Sequence, residues 1–207
     1  MGIQDKPKKY LPLPPDQLIS KLKKKFTSSV DHLESSMEEF LNREQEGGLW
    51  NISGYDNTLE KAKEMIKAAH KNIYLSAWGS EINLLKKHLV AAIKRGVTTT
   101  IFTFNPVTLK DADIFSYGIE ENTLEKHWDH KIVLVTDKKE VLMGGADMRN
   151  NSITAWTDNQ AIIAIALNYI ILDLTLFSQR NKKDVSFQVT EMMNGQLDGL
   201  ENVLPKV

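Results

Sequence analysis

The side chains best suited to bind a small polar ligand lie at the ends of two predicted strands. Ser76 and Trp78 end one strand, and Asn105 follows the end of the next. In an open α/β sheet, ligands bind at the edge formed by the carboxyl ends of the strands. Aromatic rings can stack on the apolar face of a ligand, and the buried polar groups of a ligand need hydrogen-bond partners. These residues therefore predict a site for a small polar ligand.

Further candidates lie in the C-terminal half of the chain. Gly145 belongs to a Gly-Gly pair that can bring the backbone close to a ligand, and Asp147 and Arg149 lie in the loop after it. Trp156 follows this loop. We predict that all of them contact the ligand. Two alternatives remain open, because the tryptophans could pack in the core and the polar loop could be a solvated turn.

Histidine and cysteine usage argues against a metal site. The chain has no cysteine, and His127 and His130 have no further histidine nearby to complete a ligand set. Structural and catalytic metal sites in proteins normally need three or four such ligands. We therefore predict no metal and no other cofactor.

Two runs in this region resemble the signature of the phospholipase D superfamily, His-x-Lys-x4-Asp followed by Gly-Ser-x-Asn. They are Lys131-Ile-Val-Leu-Val-Thr-Asp137 and Val141-Leu-Met-Gly-Gly-Ala-Asp147. The resemblance implies a strand–turn–strand unit, in which the family's histidine attacks phosphorus and its lysine holds a phosphate oxygen. Lys131 keeps the lysine position, and we predict that it contacts the ligand.

The other catalytic residues of that signature are absent. Asp129 stands at the position of the histidine, Thr136 at that of the aspartate, and Gly144-Gly145-Ala146-Asp147 replaces Gly-Ser-x-Asn. His130 is adjacent to Lys131, so in a strand the two side chains point to opposite faces and cannot act on one phosphate. We therefore predict no catalytic residues and no enzyme activity.

Several runs also resemble, in the same order, the TrmB family of sugar-sensing transcription regulators, whose effector domain has a phospholipase-D-like fold without catalysis. They are Lys8-Lys9-Tyr10-Leu-Pro-Leu-Pro-Pro15, Gly48-Leu-Trp50-Asn-Ile-Ser-Gly54, Ile73-Tyr-Leu-Ser-Ala-Trp78, Arg95-Gly96-Val97 and Ala155-Trp156-Thr-Asp-Asn159. The resemblance implies an effector-binding region that modulates DNA binding. Such regulators normally begin with a winged helix-turn-helix, for which the residues before the proline-rich segment are too few. We expect DNA contacts to come from a domain outside this chain.

Residues 16–46 are predicted to form one long amphipathic helix. Its apolar residues recur at steps of three and four and are Leu18, Leu22, Phe26, Val30, Leu33, Met37, Phe40 and Leu41. The long stripe with flanking charges favours a coiled coil that forms a homodimer through residues 18–41. The alternative is a helix packed on its own domain. The proline-rich residues 1–15 predict an extended linker.

Residues 50–180 are predicted to form the α/β effector-binding domain, with residues 181–207 as a C-terminal extension. Helical patterns cover residues 57–69, 81–94 and 159–177, and strand patterns cover residues 72–78, 97–104, 132–135 and 141–143. Short connections of this kind favour a parallel sheet. The extension is predicted to be a helix or a strand hairpin.

Composition limits the partners of the chain. The formal net charge is -1 in 207 residues, so no global field attracts nucleic acid or anionic lipid. The most apolar run, residues 161–177, is short for a bilayer span and contains Asn168 and Asp173, which favours a buried helix. The lysine-rich start lacks the apolar stretch of a secretory signal. We expect a cytoplasmic protein without membrane contact.

The favoured function is therefore an effector-binding, dimerising region that senses a sugar-like metabolite. One alternative is a phosphodiesterase or nuclease that uses His127 or His130 together with Lys131. The other is a dimerisation module that binds no ligand.

Overall fold

The computed structural model describes residues 14–41, 47–147 and 152–193 of the chain, with side chains of the first segment described to residue 34. The chain divides into two units, Met1–Gln45 and Glu46–Val207. The predicted linker therefore lies almost wholly outside the described residues, as does most of the extension after residue 193.

The first unit contains one helix, α1, at Pro15–Leu41. Proline suits the first turn of a helix, because the missing N–H would have no partner there, and Asp16 places a negative charge at the positive end of the helix dipole. The predicted long helix is confirmed, although residues 42–46 lie outside the described part of the chain. Its exposed apolar side chains are Leu18, Ile19, Leu22, Phe26, Val30 and Leu33. Pairing of this stripe with a second helix stays a prediction.

The second unit is built on a seven-stranded sheet of order β1-β7-β6-β5-β2-β3-β4. The strands are β1 Leu49–Ser53, β2 Asn72–Ala77, β3 Thr98–Thr103, β4 Asp113–Ser116, β5 Lys131–Thr136, β6 Glu140–Gly145 and β7 Ile153–Thr157. The helices are α2 Tyr55–Ala68, α3 Gly79–Lys94, α4 Glu121–Leu124, α5 Gln160–Asn181 and α6 Ser186–Met193. The predicted α/β class with a preceding long helix is confirmed.

The sheet is mixed, so the prediction of a parallel sheet is wrong for its second half. Strands β2, β3 and β4 run parallel, as the connection through α3 requires. Strand β5 pairs antiparallel with β2, and β6, β7 and β1 continue antiparallel. The tight turn between β5 and β6 reverses the chain, and only antiparallel strands can be joined so closely. Strands β1, β4 and β7 and helix α4 were not predicted, and α6 lies in the extension for which a helix or a strand hairpin was predicted.

Helices cover both faces of the sheet. Side chains of β5 alternate between the two cores, with Ile132 and Leu134 in the core under α2 and α3. Val133 and Val135 face the core under α5 and α6. Helix α5 has the length and mean hydropathy, 2.0, of a membrane span. One face of α5 packs in the core through Ile163, Ala166, Leu167, Ile170, Leu174 and Phe177, whereas Ile165, Tyr169, Leu172 and Leu176 are exposed.

The carboxylate of Asp137 ties the end of β5 to the start of β2. Its oxygens accept hydrogen bonds from the backbone N–H groups of His70 at 2.9 Å, Lys71 at 2.7 Å and Asn72 at 3.0 Å. The N–H of Asp137 donates in turn to the carbonyl of Asn72 at 2.9 Å. Burial alone would raise the pKa of the Asp137 carboxyl, but the three amides outweigh burial and hold this pKa below its usual range.

Gly144 in β6 lies where the neighbouring strand leaves no room for a side chain. Its φ is 148°, and a Cβ atom there would lie 2.6 Å from the carbonyl oxygen of Ile153 and 2.8 Å from Cα of Thr154. A Cβ atom at Gly145 would meet nothing within 4 Å. The two glycines of the pair therefore differ, since only the first is required by packing.

Asp137→Asn is expected to lower the free energy of unfolding at about pH 7 by about 1 to 3 kcal/mol, because a neutral amide replaces a charged acceptor. A lowered folded-state pKa stabilises the fold above the ordinary titration range of a carboxyl, and this stabilisation is lost as pH falls through the lowered pKa. Urea denaturation from about pH 7 to pH 2 should therefore show the difference between the two proteins shrinking. Asp111→Asn, at another residue with positive φ, is the control and should leave stability unchanged. Equal stability of Asp137→Asn and the unaltered protein at neutral pH would contradict the assignment.

Gly144→Ala is expected to lower the free energy of unfolding by more than about 1 kcal/mol, because alanine is strained at this φ and its Cβ meets backbone. Gly145→Ala is the matched control and should change it by less than about 0.5 kcal/mol. Urea denaturation measures both changes. Similar losses of stability in the two variants would contradict the conclusion that only Gly144 is required by packing.

Candidate functional site

A cavity of about 150 Å³ opens at the edge of the sheet where β2 and β3 end and β5 begins. We call it the Lys131 cleft. The residues that line it are Ser76, Ala77, Trp78, Phe102, Phe104, Trp128, Asp129, Lys131 and Tyr169. An apolar cavity of similar volume in another protein holds benzene, so the Lys131 cleft has room for one small ring.

The polar groups of the Lys131 cleft lie on β2, β5 and α5. Ser76 Oγ donates to Asp173 Oδ2 at 3.4 Å. Burial raises the pKa of the Asp173 carboxyl to about 6, against the opposing effects of the Ser76 hydroxyl and the Lys131 charge. Burial and the nearby Asp173 likewise raise the pKa of the Tyr169 hydroxyl. The cleft therefore combines the Lys131 ammonium group, the Ser76 and Tyr169 hydroxyls and the Asp129 carboxyl, and Asp173 is linked to it through Ser76.

Aromatic rings form the apolar part of the Lys131 cleft. Trp128 lies nearly parallel to Phe104, with ring centroids 5.8 Å apart, and Trp128 is 56% exposed. On the other side of Phe104 lies Tyr117, whose ring is 5.5 Å away at its centroid. A half-exposed indole held by a second ring presents a flat apolar face to a ligand.

A second cavity, of about 270 Å³, lies beside the first, and we call it the acidic pocket. It is lined by Tyr55, Ser80, Glu81, Glu121, Glu125, His130 and Asp147. The rings of Trp78, in the Lys131 cleft, and His130, in the acidic pocket, stack with centroids 3.9 Å apart. This stack forms part of the partition between the two cavities.

His130 and Lys131 line different cavities, as their adjacency in the sequence predicted. His130 precedes β5 and Lys131 is the first residue of that strand. Asp129, at the position where the phospholipase D signature has histidine, lines the Lys131 cleft. The imidazole and the ammonium group therefore cannot meet on one phosphate in this arrangement.

The predicted ligand residues do not all lie in one cavity. Ser76, Trp78 and Lys131 come together in the Lys131 cleft. Gly145 lies opposite Lys131 in the β5–β6 pair, with open space beside its Cα. Asp147 lines the acidic pocket instead.

Two other predicted residues, Asn105 and Trp156, line neither cavity. Asn105 is buried and caps α3: its side chain accepts from the N–H of Gly79 at 2.8 Å and donates to the carbonyl of Ile119 at 3.0 Å. Trp156 packs on Trp50, with centroids 4.6 Å apart, which is the core-packing alternative left open above. Arg149 lies outside the described residues.

Sequence reasoning missed the aromatic residues Phe104, Trp128 and Tyr169 and the carboxyl of Asp173. Tyr169 and Asp173 are four residues apart on α5, a spacing that places both on one side of a helix. The signal available in the sequence was Asp173 itself, a carboxylate inside the most apolar run of the chain. Burial of an unpaired charge is costly, so such a residue points to a partner or a functional role.

Comparisons with known proteins agree with the resemblance noted in the sequence. The family described as Transcriptional regulator TrmB, EBD N-terminal subdomain, matches residues 48–170. The uncharacterized protein YrhO of Bacillus subtilis is 28% identical over 168 residues, which are 81% of this chain and 61% of YrhO. The HTH-type sugar sensing transcriptional regulator TrmBL1 of Pyrococcus furiosus is 27% identical over 74 residues, 34% of this chain and 21% of TrmBL1. The chain thus spans less than two thirds of either relative.

Three solved structures are similar to parts of this chain. TrmBL2, an archaeal chromatin protein, is 18% identical with a TM-score of 0.47, over 75% of this chain and 65% of its own. NucT from Helicobacter pylori is 13% identical with a TM-score of 0.48, over 63% of this chain and 97% of its own. Nuc, a phospholipase D family member from Salmonella typhimurium, is 17% identical with a TM-score of 0.44, over 62% and 95%. Because the match to residues 48–170 covers more than half of the 207 residues, the chain belongs to the TrmB family of transcriptional regulators, in its effector-binding domain.

Proposed function

We propose that this chain is the effector-sensing part of a transcription regulator and that a sugar or another small polar metabolite binds in the Lys131 cleft. The observation that carries the proposal is the composition of that cleft, where aromatic rings surround ammonium, hydroxyl and carboxyl groups at the carboxyl ends of β2 and β3. Ligands of α/β proteins bind at this edge. TrmBL1, which matches part of the chain, is described as sugar sensing.

The shape of the cleft favours a ligand no larger than a single sugar ring. Trp128 offers a flat, half-exposed face for the apolar side of such a ring. Ser76, Asp129 and Lys131 offer donors and acceptors for its hydroxyls. The cavity of about 150 Å³ is too small to enclose a disaccharide, so a longer sugar would extend into solvent.

We propose binding without catalysis. A phosphodiesterase of the phospholipase D kind needs its histidine and lysine on one phosphate. Here His130 and Lys131 line separate cavities, and a carboxylate, Asp129, occupies the position of the nucleophile. A carboxylate beside a phosphate would repel it.

Trp128→Ala is expected to weaken binding of the best ligand by about three- to tenfold, the effect of losing one aromatic face. The ligand is chosen from monosaccharides, disaccharides and sugar phosphates by thermal shift, and its affinity is measured by isothermal titration calorimetry. Lys131→Met should also weaken binding. The matched controls are Trp50→Ala, which removes a partly exposed tryptophan outside the cleft, and Lys139→Met on the turn after β5; both should bind as the unaltered chain does.

Two outcomes would count against the proposal. If no compound in the panel produces heat or a thermal shift, a dimerisation module without a ligand is favoured. If Trp50→Ala weakens binding as much as Trp128→Ala, the ligand does not bind in the Lys131 cleft. Hydrolysis of a generic phosphodiester that is abolished by His130→Ala would favour the phosphodiesterase instead.

We further propose that the chain forms a homodimer through residues 18–41. The exposed stripe of α1 runs from Leu18 to Leu33 over more than four turns, and a helix with such a stripe is stabilised when a second helix covers it. In a regulator of this family, binding at the Lys131 cleft would alter DNA binding by favouring one arrangement of the dimer. DNA contacts are assigned to another part of the protein, and the site of action is the cytoplasm.

The double variant Leu22→Glu/Phe26→Glu is expected to shift the chain from dimer to monomer, because it places charges in the middle of the stripe. Sedimentation equilibrium measures the mass of each species. Lys24→Glu introduces the same side chain on the opposite face of α1, at about 100° per residue, and should leave the dimer intact. A monomeric unaltered chain, or a dimer that survives both substitutions, would exclude α1 as the interface.

A further inference from the structure

Three side chains that can bind a metal ion converge in the acidic pocket. Glu81 lies in the first turn of α3, Glu121 is the first residue of α4, and His130 precedes β5. One ligand atom from each of the three lies within 4.8 Å of the others. Because the residues come from separate elements, the fold rather than a local motif brings them together.

The orientation of His130 leaves a buried nitrogen without a partner. His130 Nδ1 lies 3.2 Å from Glu81 Oε1, and a proton on Nδ1 that is donated to this carboxylate leaves a lone pair on Nε2. Nε2 is buried and makes no hydrogen bond, in a residue that is 9% exposed. It lies 3.4 Å from Glu125 Oε1 and 3.7 Å from Glu121 Oε1. A lone pair that faces two carboxylate oxygens is repelled unless a cation lies between them.

Two carboxylates of the acidic pocket compete for one hydrogen-bond donor. Ser80 Oγ lies 3.0 Å from Glu81 Oε2 and 2.5 Å from Glu121 Oε1, yet a hydroxyl has one proton and can donate to only one of them. Glu81 is 1% exposed, and a buried carboxylate needs a compensating charge. Among the described residues, neither Glu81 nor Glu121 forms an ion pair with lysine or arginine. Glu81 and Glu121 therefore lack a compensating cation among the residues that the structure describes.

We propose that the acidic pocket binds one divalent first-row transition-metal ion through Glu81, Glu121 and His130. An imidazole nitrogen with carboxylate oxygens suits Mn²⁺, Co²⁺ or Zn²⁺ better than Mg²⁺ or Ca²⁺, which prefer oxygen ligands alone. Ligands about 2.1 Å from one ion are at most about 4.2 Å apart, so Nε2 and Glu121 Oε1 are already close enough. Glu81 would complete the set if its Oε2 turned from Ser80 to the ion while its Oε1 stayed near His130 Nδ1. The hydrogen bond from Tyr55 to Glu81 at 3.0 Å would help to hold this ligand.

The proposal is independent of the ligand in the Lys131 cleft, because the two cavities have different lining residues. The sequence prediction of no metal considered groups of residues close together in the chain, whereas Glu81, Glu121 and His130 come from separate elements.

The test uses the whole chain, freed of any affinity tag and treated with a chelator. Titration with Co²⁺ should produce a visible absorption band that saturates at one ion per chain, and Mn²⁺ and Zn²⁺ should raise the melting temperature more than Mg²⁺ does. Glu121→Gln keeps the shape of the side chain and should weaken Co²⁺ binding at least about tenfold. Because the Glu121 side chain is 31% exposed, this variant is expected to fold, which far-UV circular dichroism checks.

Matched controls separate the pocket from the protein surface. Glu64→Gln alters an exposed glutamate on α2, and His127→Gln alters an exposed histidine three residues from His130. Both should bind Co²⁺ as the unaltered chain does, whereas His130→Gln should not bind it. The proposal is wrong if the chelated chain shows neither an absorption band nor a thermal shift with any of the three ions. It is also wrong if Glu121→Gln binds Co²⁺ as tightly as the unaltered chain.

Discussion

The antiparallel pairing of β5 with β2 is the constraint on which the candidate sites depend. Its register places Ile132 opposite Ala77 and Val133 opposite Ser76, so the start of β5 lies beside the end of β2. Lys131, His130 and Trp78 meet only for this reason. A parallel β5 would carry its first residues to the other end of the sheet. The Asp137 carboxylate holds the opposite end of the same pair through three backbone amides, which fixes the register.

Local sequence patterns predicted the elements that have strong periodicity and clear ends. Strands β2 and β3, helix α3 and the β5–β6 pair were found, and Gly96 after α3 has the positive φ, 90°, of a helix C-cap. Strands β1 and β7 were missed because each has five residues and is stabilised by pairing with a strand far away in the sequence. The direction of β5 relative to β2 is also set by tertiary contacts, so the short connections in the sequence did not predict it.

The types of residue needed for a ligand site were predicted better than their positions. Ser76, Trp78 and Lys131 lie at strand ends, where the sheet edge determines their surroundings. Asn105 also follows a strand end, but its side-chain oxygen accepts a hydrogen bond from the backbone N–H of Gly79 at the start of α3. Nothing in the local sequence distinguishes these two fates. The acidic pocket was beyond prediction for the same reason, because Glu81 has the appearance of an ordinary first-turn glutamate on a helix.

The stacked rings of Trp78 and His130 have a consequence for how this protein can evolve and be redesigned. Trp78 lines the Lys131 cleft and His130 lines the acidic pocket, and their rings stack with centroids 3.9 Å apart. A substitution of Trp78 selected for a new small molecule therefore removes the support of His130, and a change at His130 loosens the indole. A redesign of one cavity therefore has to include the ring that borders the other cavity.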